Sequence, residues 1–302
     1  MRRRLLCNDY FSKLPRLQEN PDDSLMTLPP VTRFAPSPTG YLHLGHVVSA
    51  LHARQTAGPS GRFLVRIEDI DTTRCTPELT EALRQDLQWL GLWPTEPVRQ
   101  QSQHIDAYKA VLDHLRQRKL LYPCFCTRSE IAAATSGRQA PDGSTVYPGT
   151  CRTGASENGR SPVWRLDMER ALNEIHGVPS WYEVGQGRIA GRADEFGDIV
   201  LGRRDTGVSY HLCVTHDDAL QGVTCVTRGQ DLYAATSVHR VLQALMKWPE
   251  PDYRHHALIL DDEGKKLSKR DGAEGVRVLR ALGWSAQNVL QHPLVVKALG
   301  ES

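Results

Sequence analysis

A chain of 302 residues is long enough to bury one large or two ordinary cores, and 40% hydrophobic with 24% charged residues is an ordinary globular mixture. Thirty-seven Lys and Arg against 35 Asp and Glu leave a formal charge of +2, which excludes nucleic-acid binding by bulk charge alone; any such partner must be recognised at a site. No stretch reaches the roughly 20 apolar residues of a membrane span, the basic start MRRRLLCNDYF leads into no apolar signal segment, and seven cysteines suit a reducing compartment, so a cytoplasmic protein with no membrane partner is expected.

Residues 1–29 end in the polar, proline-rich ENPDDSLMTLPP and read as an N-terminal extension. VTRFA then reads as a strand and PSPTGY as a turn-rich loop. Leu44, Val47, Val48 and Leu51 recur at helical spacing, predicting a helix that begins near His43. RFLVRIEDID is a second strand, followed by Thr76 and Pro77 at the N-cap and first position of a helix carrying Leu79, Leu83, Leu87 and Leu90. This alternation points to a parallel sheet. A third helix over roughly 104 to 120 carries Ile105, Tyr108, Leu112 and Leu115 on one face.

The stretch from Tyr122 to Cys151 breaks the rhythm with loop composition and reads as an inserted subdomain. Short strand-like runs follow in PVWRLDM, SWYEVG and GDIVLGRR. SYHLCVTHDDALQGVTCVTRGQDL is read as strands returning to the sheet, and Val238, Val241, Leu242, Leu245 and Met246 mark another helix. The division expected is an extension (1–29), the first half of a catalytic domain (30–103), an insertion (104–205), the second half (206–250) and a charged loop with a C-terminal helical part (251–302).

Two segments concentrate imidazole or cationic side chains, and a metal site, a phosphate site and plain structure are the readings they allow. In RFAPSPTGYLHLGH, His43 and His46 flank a helix start, where unpaired N–H groups and the positive dipole end favour an anion, and Gly45 lets a ligand approach the backbone. Far along the chain, KLSKR brings Lys266, Ser268, Lys269 and Arg270 on a charged loop. A capped helix start and a solvated charge run are the plain alternatives. In this order, HLGH and KLSKR resemble the paired signatures of class I aminoacyl-tRNA synthetases. The resemblance implies an α/β, Rossmann-like class I catalytic domain with a zinc-bearing insertion and a small C-terminal helical part. It also implies ATP as substrate with magnesium, His43, Gly45 and His46 on one side of the phosphates, and Lys266, Ser268 and Lys269 on the other.

RFAPSPTG, RIEDID and VTRGQDL look like the glutamyl and glutaminyl branch, with the similarity running from about 31 to 275. The resemblance implies a pocket for L-glutamate built from Arg33, Phe34, Ala35, Pro36, Ser37, Glu68, Tyr210 and Arg228. The chemistry agrees: carboxylates need cations and an ammonium needs an anion, and arginine matches a carboxylate better than an amide.

Cys124, Cys126, Tyr147 and Cys151 form CxC followed by YxxxC. Thiolates suit tetrahedral zinc and a phenolate oxygen can complete the set; the alternative leaves Tyr147 in a core, with water or a histidine on the metal. Cys7, Cys75, Cys213 and Cys225 look unrelated. The four-residue arrangement resembles the zinc site, one ion per chain, of the glutamyl-Q tRNA(Asp) synthetases. Only residues 271–302 follow Arg270, which strengthens that likeness, since an ordinary glutamyl-tRNA synthetase carries a large anticodon-binding portion there. The resemblance implies a monomer that activates glutamate without tRNA and transfers it to queuosine at the first anticodon position of tRNA(Asp). A truncated glutamyl-tRNA synthetase charging a 3′ end, a glutamate ligase acting on a small molecule, and a non-enzymatic RNA-binding module stay open at this point.

Overall fold

The computed structural model describes residues 29–135, 137–154, 159–259 and 275–300. Lys266, Ser268, Lys269 and Arg270, with residues 1–28, lie outside them.

Strand β1 (Val31–Phe34) is followed by helix α1 (Leu44–Ala57), strand β2 (Arg62–Ile67), helix α2 (Pro77–Trp89) and strand β3 (Arg99–Gln100). The three strands pair in parallel in the order β1-β2-β3. Leu44, Val47, Val48 and Leu51 are all buried in α1, so the helical spacing read from sequence is the core face. Thr76 caps α2 through its hydroxyl, which accepts from the Leu79 amide, and Pro77 fills the first position where its missing N–H costs nothing.

Helix α3 (Ile105–Gln117) leads into the inserted region, where β4 (Leu121–Cys124) pairs antiparallel with β5 (Val163–Leu166). Between these strands lies helix α4 (Arg128–Ala134). A reciprocal cap starts it: the Thr127 hydroxyl accepts from the Glu130 amide, and the Glu130 carboxylate accepts from the Thr127 amide. That capping box made a helix from residues read as loop composition. Helix α5 (Met168–Glu174), the antiparallel pair β6 (Trp181–Glu183) and β7 (Gly187–Ile189), and β8 (Val200–Gly202), which pairs with β5, complete this region.

The chain then enters helix α6 (Tyr210–Leu220), strand β9 (Cys225–Gly229), helix α7 (Thr236–Met246) and strand β10 (Asp252–His256). The expectation that the whole segment after Ser209 returns as strands is corrected here: its first half is helical. Ser209 caps that helix by accepting from the Leu212 amide, and the run from Leu212 to Thr215 is buried all round. A short fully buried run has no period that separates helix from strand. β10 pairs in parallel with β9 and β6, while the Thr224 amide donates to the Val31 carbonyl at 3.0 Å and sets β9 beside β1. The result is a doubly wound parallel arrangement, with the carboxyl ends of β1 and β9 adjacent, where ligands bind in such sheets. Helices α8 (Val276–Ala281), α9 (Ala286–Leu290) and α10 (Pro293–Gly300) form a C-terminal helical part whose Val295, Ala298 and Leu299 share the core with α1.

Candidate active site

A cavity of about 410 Å³ opens at the carboxyl ends of β1 and β9. Every pocket residue expected from sequence lines it: Arg33, Phe34, Ala35, Pro36, Ser37, Glu68, Tyr210 and Arg228, together with His43, Gly45 and His46. Thr39, Ser49, Thr227, Asp231 and His256 also line it and are not among the site residues expected from sequence.

The two histidines do cap α1. His43 Nδ1 accepts from the Gly45 amide at 3.1 Å, and His46 Nδ1 accepts from the His43 amide at 3.2 Å, a capping box built from imidazoles. Accepting at Nδ1 fixes the neutral tautomer with its proton on Nε2, and the ring centroids lie 3.8 Å apart. The helix-start reading holds, and the cap sets two imidazole N–H donors at the positive end of the helix. A Cβ on Gly45 would sit 3.0 Å from His43 Cε1, so a side chain there would push the His43 ring by a few tenths of an ångström.

Behind the cavity, charged groups interlock. Arg33 Nε and Nη2 donate to the Asp218 carboxylate at 2.8 and 3.3 Å, and Nη1 donates to the Thr227 carbonyl at 2.7 Å. Arg66, fully buried, donates from Nη1 to the same Asp218 at 2.8 Å and from Nε and Nη2 to Glu68 Oε1 at 3.3 and 3.1 Å. Burial pushes the Glu68 carboxyl above its ordinary range against the pull of Arg66 and Arg33, whereas for Asp218 the two arginines outweigh burial and hold it low. Arg33 thus presents one N–H from each Nη beyond its protein contacts.

Arg228 is held differently. Its Nε donates to His255 Nε2 at 3.1 Å, Nη1 to His239 Nδ1 at 2.9 Å and Nη2 to the Thr236 hydroxyl at 2.6 Å, with all four side chains buried. His255 Nδ1 lies 2.9 Å from Glu183 Oε1, and His239 Nε2 lies 3.1 Å from His211 Nδ1. Burial drives His239 and His211 well down, with Arg228 adding to it; His211 reaches about 4, so both rings are neutral at pH 7.

The sulfur atoms of Cys124, Cys126 and Cys151 all lie within 4.8 Å of one another. Tyr147 Oη is 3.4 Å from Cys124 Sγ and 3.6 Å from Cys126 Sγ, and Cys126 Sγ is 3.5 Å from Cys151 Sγ. Zinc with bonds of about 2.0 to 2.3 Å to tetrahedral ligands sets its donor atoms roughly 3.3 to 3.8 Å apart, and these spacings fit it. The Arg165 guanidinium lies 3.8 Å over the Tyr147 ring, a cation beside a donor set that becomes anionic on metal binding, and Arg204 Nη2 donates to the carbonyls of Cys124 and Cys126. Gly197, at φ +63, meets Tyr147 in a β-bridge where a Cβ would lie 2.8 Å from Val146 Cγ1. Cys75, Cys213 and Cys225 are buried outside this group.

The family profile described as tRNA synthetases class I (E and Q), catalytic domain, matches residues 30–294. The chain is 45% identical over 275 residues to a glutamyl-Q tRNA(Asp) synthetase of Rhodobacter capsulatus, covering 86% of this chain and 98% of that one. It belongs to the glutamyl-Q tRNA(Asp) synthetase family. A second family member, from Janthinobacterium, is 41% identical and covers 82% of this chain and 84% of its own. A glutamate tRNA ligase of Elizabethkingia meningosepticum, solved in complex with its amino acid, superposes with a TM-score of 0.63 at 27% identity over 81% of this chain. The chain spans about half that ligase, 52% of its length. The family makes this protein a class I ligase acting on glutamate and tRNA, with the α/β catalytic domain expected from the sequence. Among the described residues no helix is long and apolar enough to cross a membrane.

What sequence reading missed in this family site is its supporting layer: Arg66, Asp218, Glu183, Thr236, His239 and His255. Arg66 and Glu68 stand two apart in RIED, hence on one face of β2 and its extension, and a charged pair on the buried face of an apolar strand was the available signal. The histidines behind Arg228 come from β10 and α7 and show no local pattern.

Proposed function

We propose that this protein activates L-glutamate with ATP in the absence of tRNA and transfers it to queuosine at the first anticodon position of tRNA(Asp). One observation carries the reading: all the glutamate-pocket and histidine positions matched by resemblance converge on a single cavity with the charge pattern glutamate needs. Arg33 and Arg228 would take its carboxylates, and Glu68, engaged by Arg66 at Oε1, would take its ammonium through Oε2. Ser37 and Tyr210 add polar wall, while Phe34, Ala35 and Pro36 carry backbone past the substrate.

In activation a glutamate carboxylate oxygen attacks the α-phosphorus of ATP, the bond to the bridging oxygen breaks, and pyrophosphate leaves. Nε2–H groups of His43 and His46 at the helix start suit the charge that builds on the phosphates, and Lys266, Ser268 and Lys269, outside the described residues, are assigned to the opposite side by resemblance. Magnesium would travel with the nucleotide. In transfer, an acceptor hydroxyl attacks the glutamyl carbonyl carbon and AMP leaves.

A second cavity of about 600 Å³ shares Tyr210 with the first and is lined by Arg128, Arg203 and Arg204 and by Cys126 and Tyr147. Asp142, Asp198 and Asp205 share the wall with these arginines, and a polar surface rich in donors suits an RNA loop with a base splayed out of its stack. We assign zinc to Cys124, Cys126, Tyr147 and Cys151, where it would tie β4 to the Tyr147–Cys151 loop and so shape that wall. The domain boundaries at 29, 103, 205 and 250, action as a monomer, and a cytoplasmic setting belong to the same proposal. Glutamate-dependent exchange of labelled pyrophosphate into ATP tests the activation step: it is expected without any tRNA, and exchange that starts only on adding tRNA contradicts it.

A further inference from the structure

A guanidinium can only donate, so its partners reveal their own protonation. Arg228 Nε points at His255 Nε2, which must be bare; the His255 proton is on Nδ1, where Glu183 Oε1 and Oε2 at 2.9 and 3.0 Å receive it. Arg228 Nη1 points at His239 Nδ1, which must be bare as well, so its Nε2 carries the proton and donates to His211 Nδ1. The Thr236 hydroxyl accepts from Nη2. Nε and one N–H of each Nη are thereby consumed, leaving one N–H on each Nη, the pair that meets a carboxylate.

The acceptors on Arg228 are neutral, in contrast to Arg33, whose Nε and Nη2 rest on the Asp218 carboxylate. An imidazole holds a guanidinium in place without cancelling its charge, whereas a carboxylate at the same distance competes with the substrate. Glu183, 1% exposed, anchors this layer from one imidazole further back, held also by Trp181 Nε1 at 3.0 Å and the His255 amide at 2.8 Å.

We propose that His239 and His255 are positioning residues for glutamate recognition: two neutral imidazoles that orient Arg228 while leaving its full charge for the substrate carboxylate. The inference rests on the role given to Arg228 above. His239 is the testable member, because its partner His211 lines the second cavity and can accommodate a change.

The experiment compares His239→Ala, His239→Gln and His239→Glu by calorimetric binding of glutamate and by pyrophosphate exchange, with thermal melts confirming that each variant folds. Losing one hydrogen bond to a charged group should weaken glutamate binding and raise its KM about tenfold or more, with kcat and the KM for ATP nearly unchanged. His239→Gln, a neutral acceptor, should recover most of the affinity. His239→Glu, an acceptor that brings negative charge, should bind glutamate no better than His239→Ala. A folded His239→Ala with unchanged affinity, or His239→Glu binding as well as His239→Gln, overturns the proposal. Wild-type protein that binds glutamate with this variant pattern but supports no exchange would instead overturn the activation reading and leave the positioning role standing.

Discussion

The cavity at the ends of β1 and β9 and the thiol cluster are built on opposite plans. The cluster is local: Cys124, Cys126, Tyr147 and Cys151 come from one short stretch, and a metal with strict geometry would be enough to specify them. The cavity is assembled from distant pieces, with Arg33 on β1 held by Asp218 on α6, Arg66 on β2 bridging Asp218 and Glu68, and Arg228 on β9 held from α7 and β10. A metal organises its own ligands. Charged groups in a buried pocket need the whole fold to keep them apart and satisfied, and each depends on its neighbours.

The two plans can be separated by substitution. The largest effect should come from Arg228→Ala, which removes an undiluted cation from the cavity: kcat/KM for glutamate in pyrophosphate exchange should fall about a thousandfold, with metal content unchanged. Asp218→Asn should come next. It strips the shared counter-charge from two buried arginines, so denaturant unfolding should show about 3 to 5 kcal/mol of lost stability, far more than an exposed pair such as Arg62 with Glu96 could supply. A stability loss under 1 kcal/mol would mean that the network contributes little to holding the cavity.

Cys124→Ser with Cys151→Ser should abolish bound zinc and lower the melting temperature while leaving the KM for glutamate within about threefold, because the cluster reaches the second cavity, through Cys126 and Tyr147, and none of it lines the first. Unchanged metal content would refute the ligand assignment. Gly45→Ala should act on the nucleotide side, slowing exchange about tenfold by pushing the His43 ring, with little change in glutamate affinity. The smallest effect is on pH dependence. Burial holds the Glu68 carboxyl above its ordinary range, so the anion that meets the substrate ammonium is lost as pH falls through that raised value. The KM for glutamate should climb severalfold as pH is lowered, and Glu68→Gln should raise it at neutral pH and flatten the climb.

The contrast also explains what was legible. Positions that follow from spacing were readable: the helix start at His43, the apolar stripe of α1, the Thr76 and Pro77 cap, and the gathering of CxC with YxxxC. Pocket residues reached through the resemblance, such as Arg33, Glu68 and Arg228, also fell where expected. The groups that hold them did not show, because Asp218 and His239 gain their meaning only when helices far apart in sequence pack behind β1 and β9. The misread stretch after Ser209 has the same origin. Four consecutive buried residues, Leu212 to Thr215, carry no period, and the hydroxyl cap from Ser209 was the only local sign that a helix begins.

The central claim is that glutamate activated in this cavity goes to a modified base in an anticodon and not to a 3′ end. The direct measurement supplies labelled glutamate and ATP to the enzyme with tRNA(Asp) from cells that make queuosine, and with the same tRNA lacking it. Label should appear only on the queuosine-containing tRNA and should survive removal of the 3′-terminal adenosine. Label that leaves with that adenosine, or that appears equally on both tRNAs, contradicts the account.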